Sequence, residues 1–247
     1  MFNDDKTEFI CLGTKQQLSK INIPSIVVGE SKTVSVQHVR NLGSWFDSNM
    51  SMSTHITKVS SAAFYHLHNI KRISKFLTRS LTILIHAFVT SRLDYCNGLL
   101  YGLSNCQLSK LQRIQNAAAR LVTNSHGRCH ITPILSSLHW LPVKFRINFK
   151  ILLLVFKCLH GLSPTYLSEL ITVRTQPRYN LRSIGGVLLK HPSGKMLATL
   201  GSRAFSSAAP ILWNNLPADI RNVNTQSLFK SRLKTHLFRQ AFGDIYV

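Results

Sequence analysis

Acidic side chains are scarce in this chain. Asp and Glu number 9 against 30 Lys and Arg in 247 residues, a formal net charge of +21 at pH 7. Between Ser48 and Ala218 only Asp94 and Glu169 are acidic, against twenty Lys and Arg, so the basic character belongs to the middle of the chain. The shortage excludes a two-metal carboxylate centre. Asp4-Asp5 is the single adjacent acidic pair, and Glu8 and Glu30 are poorly placed to complete it. Phosphate-cradling glycine loops (GxGxxG, GxxxxGK[ST]) and the GxSxG nucleophile turn are missing too. The five cysteines, at 11, 96, 106, 129 and 158, are odd in number, widely spaced and without a CxxC, a pattern of free core thiols in a reducing compartment. Long apolar runs are also lacking. Leu81–Val89 and Ile151–Phe156 fall far short of the roughly 20 residues that span a bilayer. The polar, acidic Asn3-Asp4-Asp5-Lys6 is no signal peptide. These absences predict a soluble intracellular protein, nuclear or cytoplasmic, neither secreted nor transmembrane, with no small-molecule substrate.

A hydrophobic content of 45% is enough for a folded core rather than disorder. A large positive charge disfavours the compact state by self-repulsion and is tolerated best where an anionic partner offsets it. Nucleic acid is the leading partner class, ahead of an anionic membrane surface. His126, Cys129, His130 and His139 form the best metal-like group, but a tetrahedral zinc site needs a second close pair that is missing, so no metal is expected.

Along the chain, the pattern predicts a mainly α protein with a small N-terminal β hairpin or sheet. Thr7–Leu12, Pro24–Val28 and Val34–Val39 are short β-branched runs separated by turn residues, and residues 41–47 form a last strand or turn. From Ser51 or Ser53 a helix runs to about Phe76. A second, Leu81 to about Tyr95, is apolar on most sides and is expected to be buried, stopping at Asn97-Gly98. The helix from about Gln107 to Thr123 is the clearest. It places Leu108, Leu111, Ile114, Ala118, Leu121 and Val122 on one face and Lys110, Arg113 and Arg120 on the other. Pro133 opens a short helix. Pro142 and Gly161 bracket a long one, Val143–His160, apolar nearly all round but with Arg146, Lys150 and Lys157 on one edge. Residues 174–200 predict extended segments and loops. Gly201–Ala209 is helical until Pro210, Trp213–Pro217 is a turn, and a final helix to about Phe242 buries Leu228, Phe229, Leu233 and Leu237. Three regions follow: 1–50, 51–173 and 174–247.

Cations interleave with aromatics at Lys71-Arg72 and Lys75-Phe76, at Trp140 and Lys144-Phe145-Arg146, and at Phe229-Lys230 and Arg232. Cations of this kind neutralise phosphates and aromatics stack on bases, although Phe145, Phe149 and Phe156 have core spacing. Lys71, Arg72, Lys75, Lys110, Arg113 and Arg120 are the candidate nucleic-acid-binding residues.

An ordered series of strings adds a resemblance. Asn3-Asp4-Asp5-Lys6-Thr7-Glu8, Asn41-Leu42-Gly43 before Phe46-Asp47, Ser91-Arg92-Leu93-Asp94-Tyr95-Cys96-Asn97 and Leu111-Gln112-Arg113-Ile114-Gln115 come first. Leu138-His139-Trp140-Leu141-Pro142, Leu181-Arg182-Ser183, Gly201-Ser202-Arg203-Ala204-Phe205, Trp213-Asn214-Asn215-Leu216-Pro217 and Phe229-Lys230-Ser231-Arg232-Leu233-Lys234-Thr235 follow. In this order they resemble the C-terminal part of the reverse transcriptases of LINE-type, jockey-like non-LTR retrotransposons. The resemblance implies a palm edge, a primer-grip hairpin at Asn41, Leu42 and Gly43, a helical thumb-like region and a C-terminal region. It also implies an RNA or RNA–DNA hybrid partner. The Tyr-Ala-Asp-Asp strand pair and the earlier metal-binding Asp of such enzymes are not among these residues, so no catalytic residue and no cofactor is expected here, Mg²⁺ belonging to the intact enzyme. The expectation is a catalytically incomplete fragment of an RNA-directed DNA polymerase. The alternatives are a basic helical protein-interaction module, or a non-functional relic of a mobile element.

Overall fold

The computed structural model describes residues 7–21, 23–29, 31–77, 80–174, 186–192 and 200–243. The described chain is mainly helical, with two separate antiparallel strand pairs near the N-terminus. It divides into two compact units, Met1–His66 and Leu67–Val247.

In the first unit, α1 (Lys15–Leu18) is a single turn the sequence pattern does not predict. A capping box makes it: Thr14 Oγ1 accepts from the Gln17 amide at 3.2 Å, and Gln17 Oε1 accepts from the Thr14 amide at 2.9 Å. β1 (Ser25–Val28) pairs with β2 (Ser31–Val34). β3 (His38–Asn41) pairs with β4 (Ser44–Asp47), with Asn41 opposite Ser44. Two sequence expectations change here. Thr7–Leu12 supplies only an isolated bridge, Phe9 to Ser35, and Val34–Val39 is divided between two hairpins. The turn chemistry around Gly29 and Gly43 closes short local hairpins before any longer strand forms.

Asp47 is buried and receives the Ser51 amide at 2.8 Å and its hydroxyl at 3.1 Å. The Ser51 hydroxyl in turn accepts from the Ser53 amide at 3.3 Å. These bonds fix the start of α2 (Ser53–Ile73). On that helix His55 is 3% exposed and its Nδ1 receives the Trp45 amide at 3.4 Å, which holds only for a neutral ring. Burial pushes the His55 pKa below its usual 6.5. The unfolded chain therefore binds this proton more readily than the folded one. The stabilisation is complete above about pH 6.5 and is lost as pH falls from there towards the lowered native value. The expected result is falling hydrogen-exchange protection at the Trp45 amide between pH 7.5 and pH 5.5; a protection factor independent of pH would contradict it.

The second unit is a helical assembly around α7 (Val143–Leu159). α3 (Leu81–Ile85) runs on through a π-helical turn, His86–Thr90, into α4 (Ser91–Asp94), and a 3₁₀ turn follows at Asn97–Leu100. The path is helical as expected but not uniformly buried. Leu81, Ile85, Val89 and Leu93 are covered, whereas Ile83 is 68% and Phe88 44% exposed. α5 (Asn105–Thr123) and α6 (Ile131–Ser137) precede α7; α8 (Thr165–Ser168), α9 (Phe205–Asn214), α10 (Ala218–Arg221) and α11 (Gln226–Phe242) follow it.

α7 packs against α4, α5, α8, α9, α11 and the Asn97–Leu100 turn, which explains its nearly all-round apolar sequence. Ile147, Ile151, Leu152, Val155 and Phe156 are buried on it. The Phe156 ring stacks on Phe229 of α11 at 4.4 Å between centroids, and Phe229 lies 5.8 Å from Trp213 of α9. Gly161, at φ 66°, ends the helix as expected.

Two expectations are corrected in the C-terminal part. Pro210 lies inside α9 rather than ending a helix, because Ala208, Ala209, Pro210 and Trp213 are all buried and α9 packs on α7, so tertiary burial outweighs the lost amide. Leu228 is 45% exposed, and the buried side of α11 is Phe229, Leu233, Leu237, Phe238 and Phe242. Of the extended stretch expected over 174–200, residues 175–185 and 193–199 lie outside the described residues. The part between them is extended. Val173 bridges Leu189, Arg174 donates its amide to Leu188 O, and Lys190 donates its own to Thr172 O, both at 2.8 Å.

All five cysteines are free, but only Cys158 is buried, and Cys106 and Cys129 are exposed, so the expected placement of thiols in the core holds for Cys158 alone. No described helix is long and apolar enough to cross a membrane.

Candidate nucleic-acid interface

α5 begins with Ser104, whose hydroxyl accepts from the Gln107 amide, and ends at Asn124 in the left-handed region. Of the expected apolar face, Leu111, Ile114 and Ala118 are buried, joined by Ala119, while Leu108, Leu121 and Val122 are half-buried; α3, α6 and α7 cover this side. Lys110 and Arg113 lie on the outer side, exposed. Among the described residues the one ion pair joins Arg146 to Asp94, so neither Lys110 nor Arg113 is offset by a carboxylate. Lys71 and Arg72 are exposed at the carboxyl end of α2, and Lys75 is exposed in the 3₁₀ turn after it. Lys75 Nζ sits 5.0 Å from the centroid of the Phe76 ring, itself 76% exposed, which places a cation beside an open aromatic face. Lys71, Arg72 and Lys75 thus belong to the end of α2 and the turn after it, and Lys110, Arg113 and Arg120 to α5.

Arg120 differs from the other five. It is half-buried and its Nη2 donates to Cys129 O at 3.3 Å, so it braces the loop after α5. Its Nε is buried without a partner among the described residues.

Asn41, Leu42 and Gly43 form the tip of the β3–β4 hairpin in the first unit. Leu42 (φ 45°) and Gly43 (φ 84°) make a two-residue turn with both residues at positive φ, the hand that matches strand twist. Leucine pays a steric cost there, and its side chain is 83% exposed, so the tip presents an apolar residue outward. His126, Cys129, His130 and His139 do not converge: among the described residues no three or more His, Cys, Asp or Glu side chains could share a metal ion.

What the sequence missed is how the polar side chains of its distinctive strings are held in space. Arg146 Nε donates to Asp94 Oδ1 at 2.8 Å, with a second bond from Nη2 to Oδ2, which ties α7 to α4. Gln115 Nε2 donates to Leu141 O at 2.8 Å, and Gln112 Oε1 receives the Val143 amide at 2.9 Å, so two glutamines of α5 hold the Leu138–Pro142 turn and the first turn of α7. His139 (φ 53°) makes that turn possible, and Trp140 is buried beneath it. Arg203 donates to Tyr101 O and Leu99 O, and its stem lies where a Cβ on Gly102 would sit, 2.6 Å from Cγ. Trp213 Nε1 donates to Val187 O, and the Asn214 amide pairs with both backbone groups of Leu189 at 2.9 Å. Arg221 reaches Leu216 O and Val187 O, and burial pushes its guanidinium pKa down. Gln115 offers a direct check. Gln115→Leu leaves a buried carbonyl without its donor and is expected to cost about 1–3 kcal/mol, read as a lower urea midpoint; an unchanged midpoint would show that another donor replaces it.

No protein-family model matches the chain, and no curated protein or solved structure matches it either.

Proposed function

We propose that the chain is the primer-grip, thumb-like and C-terminal part of a non-LTR retrotransposon reverse transcriptase. Its own activity is to hold RNA or an RNA–DNA hybrid by the phosphate backbone, without nucleotidyl transfer. The observation that carries this reading is the outer side of α5 with Lys110 and Arg113, joined by Lys71, Arg72 and Lys75, on a unit whose carboxylates are nearly absent. Counter-ion release from phosphates by such a surface gives affinity without sequence preference. The ordered strings support the origin, and the β3–β4 hairpin with Asn41, Leu42 and Gly43 at its tip supports the primer-grip assignment.

Two experiments test the reading. Purified chain with template, primer, deoxynucleotides and Mg²⁺ is expected to give no extension product; extension would overturn the assignment. The genomic sequence upstream of Met1 tests the origin. An open frame leading back to a Tyr-Ala-Asp-Asp segment fits an active-type enzyme. Stops or frameshifts fit a relic. An intact unrelated gene would contradict the reading.

The second reading, a basic helical protein-interaction module, draws on one observation. Ile73, Phe76, Ile83 and Phe88 of the second unit are between 44% and 76% exposed. Binding to a protein with no affinity for RNA at any salt concentration would favour it.

A further inference from the structure

A cavity of about 600 Å³ opens in the second unit where the π-helical turn, the Leu138–Pro142 turn, α7 and α11 converge. It has the size of a small-ligand site. Its lining joins two chemistries. Lys150 of α7 and Lys234 of α11, both exposed, bring two ammonium groups to it from different helices, and neither has a carboxylate partner among the described residues. His86 and Trp140 supply an aromatic wall, their rings 5.2 Å apart and tilted by 59°. The π-helical turn that starts at His86 shifts that side chain off the regular helical register, a device common at binding sites. Asn97, 4% exposed, also lines the cavity, and its Oδ1 receives no hydrogen bond from a described residue. A buried acceptor left open in this way is a site for a ligand donor.

We propose that this cavity takes one nucleotide unit of a single-stranded nucleic acid, with the phosphate at Lys150 and Lys234, the base against His86 and Trp140, and a hydroxyl or amino group turned to Asn97 and Asp94. The inference rests on the nucleic-acid reading above but concerns a different surface from α5. An anion alone would use only the lysines. An acidic peptide would leave the aromatic wall without a planar partner. A nucleotide uses all three features, since bases stack on aromatic side chains and phosphates pair with ammonium groups.

Adenosine 5′-monophosphate, titrated into the full chain by calorimetry, tests it. The expected result is saturable binding with a Kd below about 1 mM. Adenosine is expected to bind at least about tenfold more weakly, and Lys150→Gln with Lys234→Gln to lose at least about tenfold in affinity for the monophosphate. Both lysines are exposed, so the variant should fold, and its circular dichroism serves as the check. Lys110→Glu with Arg113→Glu should leave monophosphate binding unchanged. No saturation, or equal affinity for adenosine, would overturn the proposal. So would hexaglutamate binding through the same lysines where the monophosphate does not bind, which would make the cavity an acidic-peptide site. If RNA binds through α5 while the monophosphate does not bind, the cavity proposal fails and the functional reading stands. If the monophosphate binds and RNA does not, the functional reading fails and so does the cavity proposal, because the site would then take a free mononucleotide and not a unit of a strand.

Discussion

Replacing Lys110 and Arg113 together with Glu should lower affinity for single-stranded RNA by at least about 30-fold at low salt. Each lost phosphate contact is worth on the order of 1 kcal/mol near a dense line of negative charge, and two such losses convert to roughly that factor. Reversal adds repulsion to the loss. The slope of log K against log salt should flatten by about 1.4, at about 0.7 per single-strand phosphate. Both residues project from the outer side of α5, opposite Leu111, Ile114 and Ala118, so the change leaves the packing on α6 and α7 untouched. The effect should be equal for RNAs of unrelated sequence, because phosphates carry none. Arg120 is a poor choice for this experiment. Its guanidinium braces Cys129 O, and a charge reversal there would disturb the loop after α5 as well as any ligand.

The largest stability effect is expected from Phe229→Ala. Phe229 is fully buried, stacks on Phe156 and lies beside Trp213, so one ring joins α7, α9 and α11. Truncation removes that contact and leaves a cavity bounded by two other large side chains that are themselves fixed. Trp213 is held by its bond to Val187 O, and Phe156 stacks at 3.9 Å on His160. Such a site collapses poorly, and a loss of about 3–5 kcal/mol is expected. In a unit of this size that corresponds to a fall in Tm on the order of 6–20 °C. Urea unfolding followed by tryptophan fluorescence checks it. A loss under about 1 kcal/mol would mean that α11 is not integral to the core. Leu228→Ala is the control. Its exposed side chain predicts a change within about 0.5 kcal/mol, the opposite of what helical spacing alone suggests.

Sequence pattern revealed much of this fold where one face of an element meets the core and the other meets water. α5 shows it best. Leu111, Ile114 and Ala118 are buried and Lys110 and Arg113 exposed where the 3.6-residue period puts them, although Arg120 turns to the loop after the helix. The pattern was silent where polar side chains do structural work. Gln112 and Gln115 look like surface residues in a basic helix, yet Gln115 is 3% exposed and bonds a backbone 26 residues away. Arg146, Arg203 and Arg221 look like three more phosphate-binding cations, yet each is held by a carboxylate or by backbone carbonyls. The lone Asp94 was the available clue to the first of them, since an isolated acid in so basic a stretch is expected to find an arginine. Local rules also failed where burial outweighed them. Pro210 sits in a helix, and the apolar run from Leu81 continues through a π-helical turn with Ile83 and Phe88 exposed along it. The cavity beside Lys150 and Lys234 was not legible because its walls come from four separate parts of the chain.

Two pairs of the strings behind the family resemblance meet in the second unit: Gln115 bonds Leu141 O, and Phe229 lies beside Trp213. Asp94 and Arg203, also in such strings, bond residues outside them, Arg146 and Tyr101. They form the framework, while the cations proposed to touch phosphate lie on its outer sides. Framework and binding face are thus separable by mutation. Phe229→Ala should destabilise the unit, whereas the α5 reversal should leave a folded protein that holds RNA more weakly.

Backbone recognition by these cations is tested by the affinity of the purified chain for a single-stranded RNA across 50 to 400 mM salt. Five exposed cations, Lys71, Arg72, Lys75, Lys110 and Arg113, predict a linear log–log plot with a slope of about −3.5, at about 0.7 per phosphate contact, and the same slope for an RNA of unrelated sequence. A slope near zero, or no binding even at 50 mM salt, would contradict the account.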